Sequence, residues 1–236
     1  MSVLEAVGLR KAYGNQVAVD GLHLRVDEGQ IMALLGSNGA GKTTVLNMFM
    51  GFVTPTSGRA IVGGTDVRGD PRLARSRLGY LPENLALYPH LTGLENLRYF
   101  NELTATGRRT DAELRSWLDK VDLPPAASDR KLSTYSKGMR QKVGLALALC
   151  RQVSALILDE PLSGLDPKAS NDLTMLLRRL AEDGVAVLMA THDIFRAKAV
   201  AHRVGIMRDG RMVADLGSAE LTVAGLEERY LAELNA

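Results

Sequence analysis

The sequence predicts an α/β fold: a parallel-sheet core, a β-rich subdomain at the N-terminus and an inserted α-helical subdomain. Three observations carry this. Short apolar runs bounded by Gly, Asn and Asp fill the start of the chain, helical spacing dominates residues 91–150, and strand-like and helix-like segments alternate from Ala155 onward. The 236 residues are ample for one core and read as a single domain. Its parts are a β subdomain and core over about 1–90, helices over about 91–150, a second part of the core over about 151–210, and a hairpin with a short helix over about 211–236.

Taken in order, "VLEAV", "LHLRV" and "IMALL" are strand signals separated by turn residues. After Lys42 the spacing becomes helical, and "RAIV" returns to strand. "LENLRYFNEL", "DAELRSWLDKV" and the run after Ser136 are helices, with a break at Pro124 and Pro125. Then follow strand "ALILD", a helix over 167–183 closed by Gly184, strand "AVLMA", a helix after His192 and strand "RVGIM". This is βαβ wiring and predicts a parallel sheet. "RDGR" carries the Asp-Gly of a tight hairpin, and "LEERYLAEL" predicts a terminal amphipathic helix. There is no internal repeat and no low-complexity linker.

Composition limits the function. Twenty-nine Lys and Arg against 27 Asp and Glu leave a formal charge of +2, too slight to gather polyanions by field alone. Any anion site must be local. The single cysteine, Cys150, lies in an apolar helical run and reads as a small packing residue, which suits a reducing cytoplasm. The N-terminus has no apolar h-region, and no apolar run approaches the ~20 residues that span a bilayer, so the expectation is a chain that is soluble by itself.

The strongest chemical signal is "GSNGAGKTT" at residues 36–44, which matches G-x-x-x-x-G-K-[ST] between an apolar strand and a helix. Gly36, Gly39 and Gly41, with Ser37, Asn38 and Ala40 between them, let backbone N–H groups turn inward around phosphate oxygens. Lys42 reaches the β and γ phosphates, Thr43 offers a hydroxyl to Mg²⁺, and Thr44 continues the cradle into the helix. Such a loop needs a second acid for the metal and a group that handles water. "ALILDEP" supplies both: Asp159 to hold Mg²⁺, directly or through water, and Glu160 to orient the attacking water or take its proton.

The P-loop, "YSKGM", "LILDEP", "SGLDP" and "ATHD" occur in an order that resembles the ATP-binding subunits of ABC transporters, a likeness running from Tyr13 to the hairpin at Gly210. The resemblance implies a P-loop NTPase (RecA-like) core with an N-terminal antiparallel β subdomain and an inserted α-helical subdomain. It further implies an ATPase that binds ATP and Mg²⁺. Tyr13 looks like the aromatic that stacks on adenine, and Glu83 sits where the family's metal-contacting glutamine usually lies. Asp166 resembles the acid of the loop facing the partner subunit, and His192 resembles the switch histidine at the γ-phosphate.

In this family the signature, usually Leu-Ser-Gly-Gly-Gln, faces the nucleotide of a second ATP-binding subunit, so the resemblance implies a dimer, expected here to be a homodimer. Ser136 and Gly138 remain, while Tyr135, Lys137 and Met139 depart from the pattern. Glu83 is the other departure, and a carboxylate is still a good hard-metal ligand. "GYLPEN" and "YSKGMRQK" look similar to one exporter branch (ABC-2 type), whose members serve copper-enzyme maturation and drug or polymer export. That branch implies a separately encoded integral membrane permease and a peripheral location at the cytoplasmic face of the membrane. Many relatives there add a C-terminal domain, expected here to be absent or reduced to one helix. The segment from Glu83 to the mid-90s suits a hinge and a groove for a partner's helix, although Tyr88, Pro89, Leu91 and Leu94 equally suit ordinary packing. Two rival readings stand beside this one. A ribosome- or DNA-acting relative normally has two ATPase halves or a long coiled-coil insertion, which this chain lacks, so no nucleic acid is expected. A regulator without turnover fits poorly with the presence of both Glu160 and His192.

Overall fold

The computed structural model describes residues 1–103, 109–220 and 222–235; residues 104–108, inside the expected helical subdomain, and 221 and 236 lie outside them. Ten strands and eight α-helices follow in the order β1 (Ser2–Tyr13), β2 (Gln16–Asp27), β3 (Ile31–Leu35), α1 (Lys42–Phe49), β4 (Ser57–Val62), β5 (Thr65–Asp66), α2 (Pro71–Ser76), β6 (Leu78–Leu81), α3 (Gly93–Leu103), α4 (Asp111–Lys120), α5 (Lys137–Leu149), β7 (Ala155–Asp159), α6 (Pro167–Glu182), β8 (Ala186–Thr191), α7 (Ile194–Val200), β9 (Arg203–Arg208), β10 (Arg211–Gly217) and α8 (Val223–Asn235) among the described residues.

Two sheets organise these elements. The first is antiparallel, in the order β2-β1-β4-β5. The second runs β10-β9-β3-β8-β7-β6, parallel throughout except for β10, which returns along β9 through a turn with positive φ at both Asp209 (48°) and Gly210 (79°). Two left-handed central residues are what a tight hairpin requires, so "RDGR" folds as expected.

Strands β3, β7 and β8 are buried along their whole length, because helices or the other sheet cover both faces. Alternation then divides their side chains between two cores. Ile31, Ala33 and Leu35 join the core formed with α3 to α8, whereas Met32 and Leu34 face the core that holds α1 against the antiparallel sheet. Helix α1 is thus wedged between the sheets by Val45, Leu46, Met48 and Phe49, and Ala40 of the loop that opens it joins the same core.

Three elements have no counterpart in the sequence expectations. Strand β5 has only two residues, and β6, "LGYL", is too short for a period to show. Helix α2 has a readable start, Asp70 accepting from the Leu73 N–H at 2.9 Å with Pro71 at the first position. Its interior buries only Ala74, so no apolar stripe marks it.

The close pass of α5 over β6 generates a prediction. A methyl group at Gly79 would sit 2.7 Å from Leu156 Cδ2 and 2.8 Å from Ala148 Cβ. Gly79→Ala is expected to cost about 1–3 kcal/mol through overpacking, read as a lower denaturant midpoint. Gly69→Ala is the control: its nearest neighbour would be the Asp66 carbonyl at 3.6 Å, and the expected change stays within about 0.5 kcal/mol.

Candidate active site

The carboxyl ends of β3, β6, β7 and β8 open onto one edge of the parallel sheet, where α/β folds place their ligands. A cleft of about 470 Å³ lies there. The loop at residues 36–44 forms its floor, and close packing explains its glycines. A Cβ on Gly36 would stand 2.5 Å from the Met207 carbonyl oxygen, and one on Gly41 would stand 2.3 Å from that of Ala18. Gly41 also takes φ 98° as the residue capping α1.

Lys42 is 7% exposed, and its Nζ donates to the carbonyls of Gly36 at 2.7 Å and Ser37 at 2.9 Å. Burial lowers its pKa, against which the charges of Glu160 and Asp159 pull upward. Asn38, Gly39, Thr43 and Thr44 line the cleft above it. Ala40 is buried and ties the loop to the far hairpin, its carbonyl accepting from the Gly210 N–H at 3.2 Å.

Asp159 ends β7 and is buried. Burial raises its pKa, a hydrogen bond with the Thr43 side chain lowers it, and the neighbouring charges of Glu160 and Glu83 raise it again. Glu83, just beyond β6, lines the same cleft. These oxygens form a hard donor set that fits Mg²⁺. Among the described residues no three His, Cys, Asp or Glu side chains close into a metal cage.

Glu160 is a non-glycine residue at φ 46°, a conformation that costs roughly 1–3 kcal/mol. Its N–H donates to the Ala190 carbonyl at 3.0 Å, anchoring it to β8. Its carboxylate accepts from Thr191 Oγ1 at 3.1 Å, from the His192 N–H at 2.9 Å and from His192 Nδ1 at 2.7 Å. Donation from Nδ1 to this carboxylate requires the tautomer with its proton on that nitrogen. His192 does not line the cleft; it stands behind Glu160 with its side chain 56% exposed. The neighbouring Asp193, not His192, caps α7, accepting from the Arg196 N–H at 3.0 Å.

Tyr13 closes the other end of the cleft, half exposed at the tip of β1, with Lys11 Nζ 4.8 Å from its ring centroid. Three expected site residues lie elsewhere. Ser136 caps α5, accepting from the Met139 N–H at 3.3 Å, and Asp166 caps α6, accepting from the Ala169 N–H at 2.9 Å. A Cβ on Gly138 would stand 2.9 Å from Ala169 Cβ, so the two helices begin side by side. Conversely, Gln16, Val17 and Ala18 of the first hairpin line the cleft without any motif to announce them, and Asp209 of "RDGR", read only as a hairpin residue, lines it too. Only their nearness in sequence to Tyr13 and Gly210 hinted at it.

The family model described as "ABC transporter" matches residues 19–163. The chain is 32% identical over 247 residues to the linearmycin resistance ATP-binding protein LnrL of Bacillus subtilis, covering 99% of this chain and 79% of that protein. It is 38% identical over 213 residues to the daunorubicin resistance ATP-binding protein DrrA2 of Streptomyces coeruleorubidus, covering 90% of this chain and 66% of that one. Among solved structures, an ATP-binding subunit of an ABC transporter superposes with a TM-score of 0.81 at 27% identity, over 97% of this chain and 99% of that chain. A dimeric ATP-binding cassette in a post-hydrolysis state, bound to ADP and Pi, superposes with a TM-score of 0.80 at 25% identity, over 91% of this chain and 98% of that chain.

The acid cluster makes a pH-dependent prediction. A carboxyl whose pKa is raised on folding costs no stability while protonated in both states; the cost grows as pH rises from its unfolded value to its folded value and is constant above that. Asp159→Asn keeps the shape and removes the buried charge. It is expected to raise the thermal midpoint of the nucleotide-free chain at neutral pH by about 2–4 °C, a gain that shrinks as pH falls toward the ordinary carboxylate value of about 4. Calorimetry across that range checks it; an equal gain at every pH assigns the effect to packing.

Proposed function

This chain belongs to the ABC transporter family of ATP-binding cassettes, which are ATPases, and from that premise we propose that it is the Mg-ATP-hydrolysing subunit of an exporter. The observation that carries the reading is the meeting of Lys42, the Thr43–Asp159 pair and Glu160 with His192 behind it, at one edge of the sheet.

The P-loop N–H groups and the start of α1 bind phosphate oxygens, and Lys42 exchanges its two carbonyl partners for the β and γ phosphates. Thr43, Asp159 and Glu83 hold Mg²⁺, which when bound neutralises charge building up on the phosphates. Tyr13 offers a flat apolar face to the adenine. Glu160 takes the proton of the attacking water or orients it, in a carboxylate position set by Thr191 and His192. His192 in turn reaches the γ-phosphate; donating to both carboxylate and phosphate requires a proton on each ring nitrogen.

Ser136, Gly138 and Asp166 serve the nucleotide held by a second copy. Their place on the paired starts of α5 and α6, outside the cleft, supports this, as does the dimeric state of a solved neighbour. The same division gives residues 91–150 the part of a helical subdomain that moves as the two chains close. Among the described residues no helix is long and apolar enough to cross a membrane. The cargo path is assigned to an integral membrane permease at whose cytoplasmic face the chain sits, a reading that the ATP-binding roles printed for the resistance relatives support. The resistance roles printed for the relatives support export as the direction.

Two experiments test the reading. Glu160→Gln keeps the P-loop and metal oxygens and is expected to bind ATP yet accumulate as a dimer; adding Ser136→Arg is expected to preserve binding and abolish the dimer. Light scattering with Mg-ATP, on the chain and on the assembled complex, separates these outcomes, and a double variant that dimerises as well as the single one removes Ser136 from the interface. Purification from native membranes is expected to bring down an integral membrane protein; recovery of ribosomes or DNA alone would overturn the exporter assignment.

A further inference from the structure

Arg196 belongs to none of the motifs above, yet its side chain closes a ring of contacts around Glu160. Thr191 Oγ1 donates to Glu160 Oε2 at 3.1 Å and itself accepts from the Asp193 N–H at 3.1 Å. The Asp193 carboxylate accepts from the Arg196 N–H at 3.0 Å and pairs with Arg196 Nε at 2.9 Å. Arg196 Nη1 then donates to the carbonyl of Leu162. Leu162 lies two residues after Glu160, inside a turn in which the Ser163 N–H donates to the Glu160 carbonyl at 3.0 Å and the Leu165 N–H to that of Leu162 at 3.3 Å. The path therefore leaves the Glu160 carboxylate, crosses the end of β8 and the start of α7, and returns to the backbone of the same turn.

This return matters because Glu160 stands at φ 46°. A side-chain-bearing residue holds such a conformation only where its surroundings over-determine it. Thr191 and His192 fix the carboxylate end, but they do not hold the peptide groups beyond it. Arg196 does, and its planar fork can serve Asp193 and Leu162 together, which a lysine ammonium on a flexible stem does poorly. Its side chain is 26% exposed, so the contacts are partly shielded from water and salt, and it does not line the nucleotide cleft.

We propose that Arg196 is a positioning residue for hydrolysis: by clamping the Leu162 carbonyl it holds the turn at residues 160–165, and with it the Glu160 carboxylate, in place at the cleft. The proposal rests on the reading of Glu160 as the group that acts on water. Arg196 itself touches neither nucleotide nor metal.

Amide hydrogen exchange on the nucleotide-free full chain reads the clamp directly. Arg196→Met is expected to speed exchange at the Ser163 and Leu165 amides by about tenfold or more while α1 is unchanged; undisturbed protection in the turn overturns the proposal. Arg196→Lys, which keeps the charge without the fork, is expected to fall between the two, and carries the comparison should the methionine chain fail to fold. Steady-state ATP hydrolysis gives the second readout. Arg196→Met is expected to lower kcat by about tenfold, with KM for ATP held within about twofold. In a Glu160→Gln background the same change adds no further loss, because its target is already gone. Equal losses in both backgrounds, or a raised KM with kcat intact, sink the clamp. A Glu160→Gln chain that hydrolyses ATP undiminished instead defeats the reading of Glu160, and the exchange experiment still decides whether Arg196 holds the turn.

Discussion

The register of the parallel sheet is the constraint on which the site depends. Leu35 pairs with Thr191, Asp159 with Ala190, and Leu81 with Leu158. The residues that follow these strand ends, Gly36, His192, Glu160 and Glu83, consequently emerge along one edge within a residue or two of one another. A slip of one residue in any strand would also turn its side chains to the opposite face. That slip is opposed by the whole apolar content of both cores, since Ile31, Ala33 and Leu35 would exchange places with Met32 and Leu34. Catalytic geometry is held here by packing that takes no part in the chemistry.

Electrostatics at this edge run against stability. Asp159 is buried beside two further carboxylates, Glu83 and Glu160, with Lys42 as the opposing charge and its ammonium already occupied by two backbone carbonyls. Burial raises the Asp159 pKa and lowers that of Lys42, so both charged forms are disfavoured. Such an arrangement is relieved by a cation for the acids and phosphate for the lysine. On the proposed function, binding Mg-ATP recovers what folding gives up, and the nucleotide-free chain is the less stable form.

Much of this could be read from the chain before folding, for reasons that differ by element. The strand before Gly36 and the helix after Lys42 show because burial on both sides of β3 demands an unbroken apolar run, and a loop that cradles phosphates demands glycine. The helices that begin after Ser136 and at Pro167 show because start signals are local. Strand β6 and the cleft-lining residues Gln16, Val17, Ala18 and Asp209 do not, since what places them is pairing across long sequence distances: the Asp20 N–H donates to the Gly210 carbonyl at 2.9 Å. Arg196 escaped for the same reason. A helix-start arginine is unremarkable until α7 is packed beside the turn after β7.

The capping role of Ser136 bears on whether the starts of α5 and α6 can also serve another chain's nucleotide. Its hydroxyl oxygen accepts from the Met139 N–H, which leaves the O–H proton free to be donated, so cap and phosphate contact are compatible. Lys137 sharpens the point. It replaces a glycine of the usual signature, stands in the first turn of a helix whose dipole already disfavours a cation, and has no acid in that turn to offset it. Its Nζ lies 3.0 Å from where a Cβ on Gly164 would be, which directs the charge over residues 163–166. A helix start with Lys137 and Arg140 in its first turn and no acid in that turn is locally basic, despite a whole-chain charge of only +2. On the proposed reading the polyphosphate of the second subunit is drawn to this charge, so the substitution that breaks the usual signature adds attraction where it removes backbone freedom.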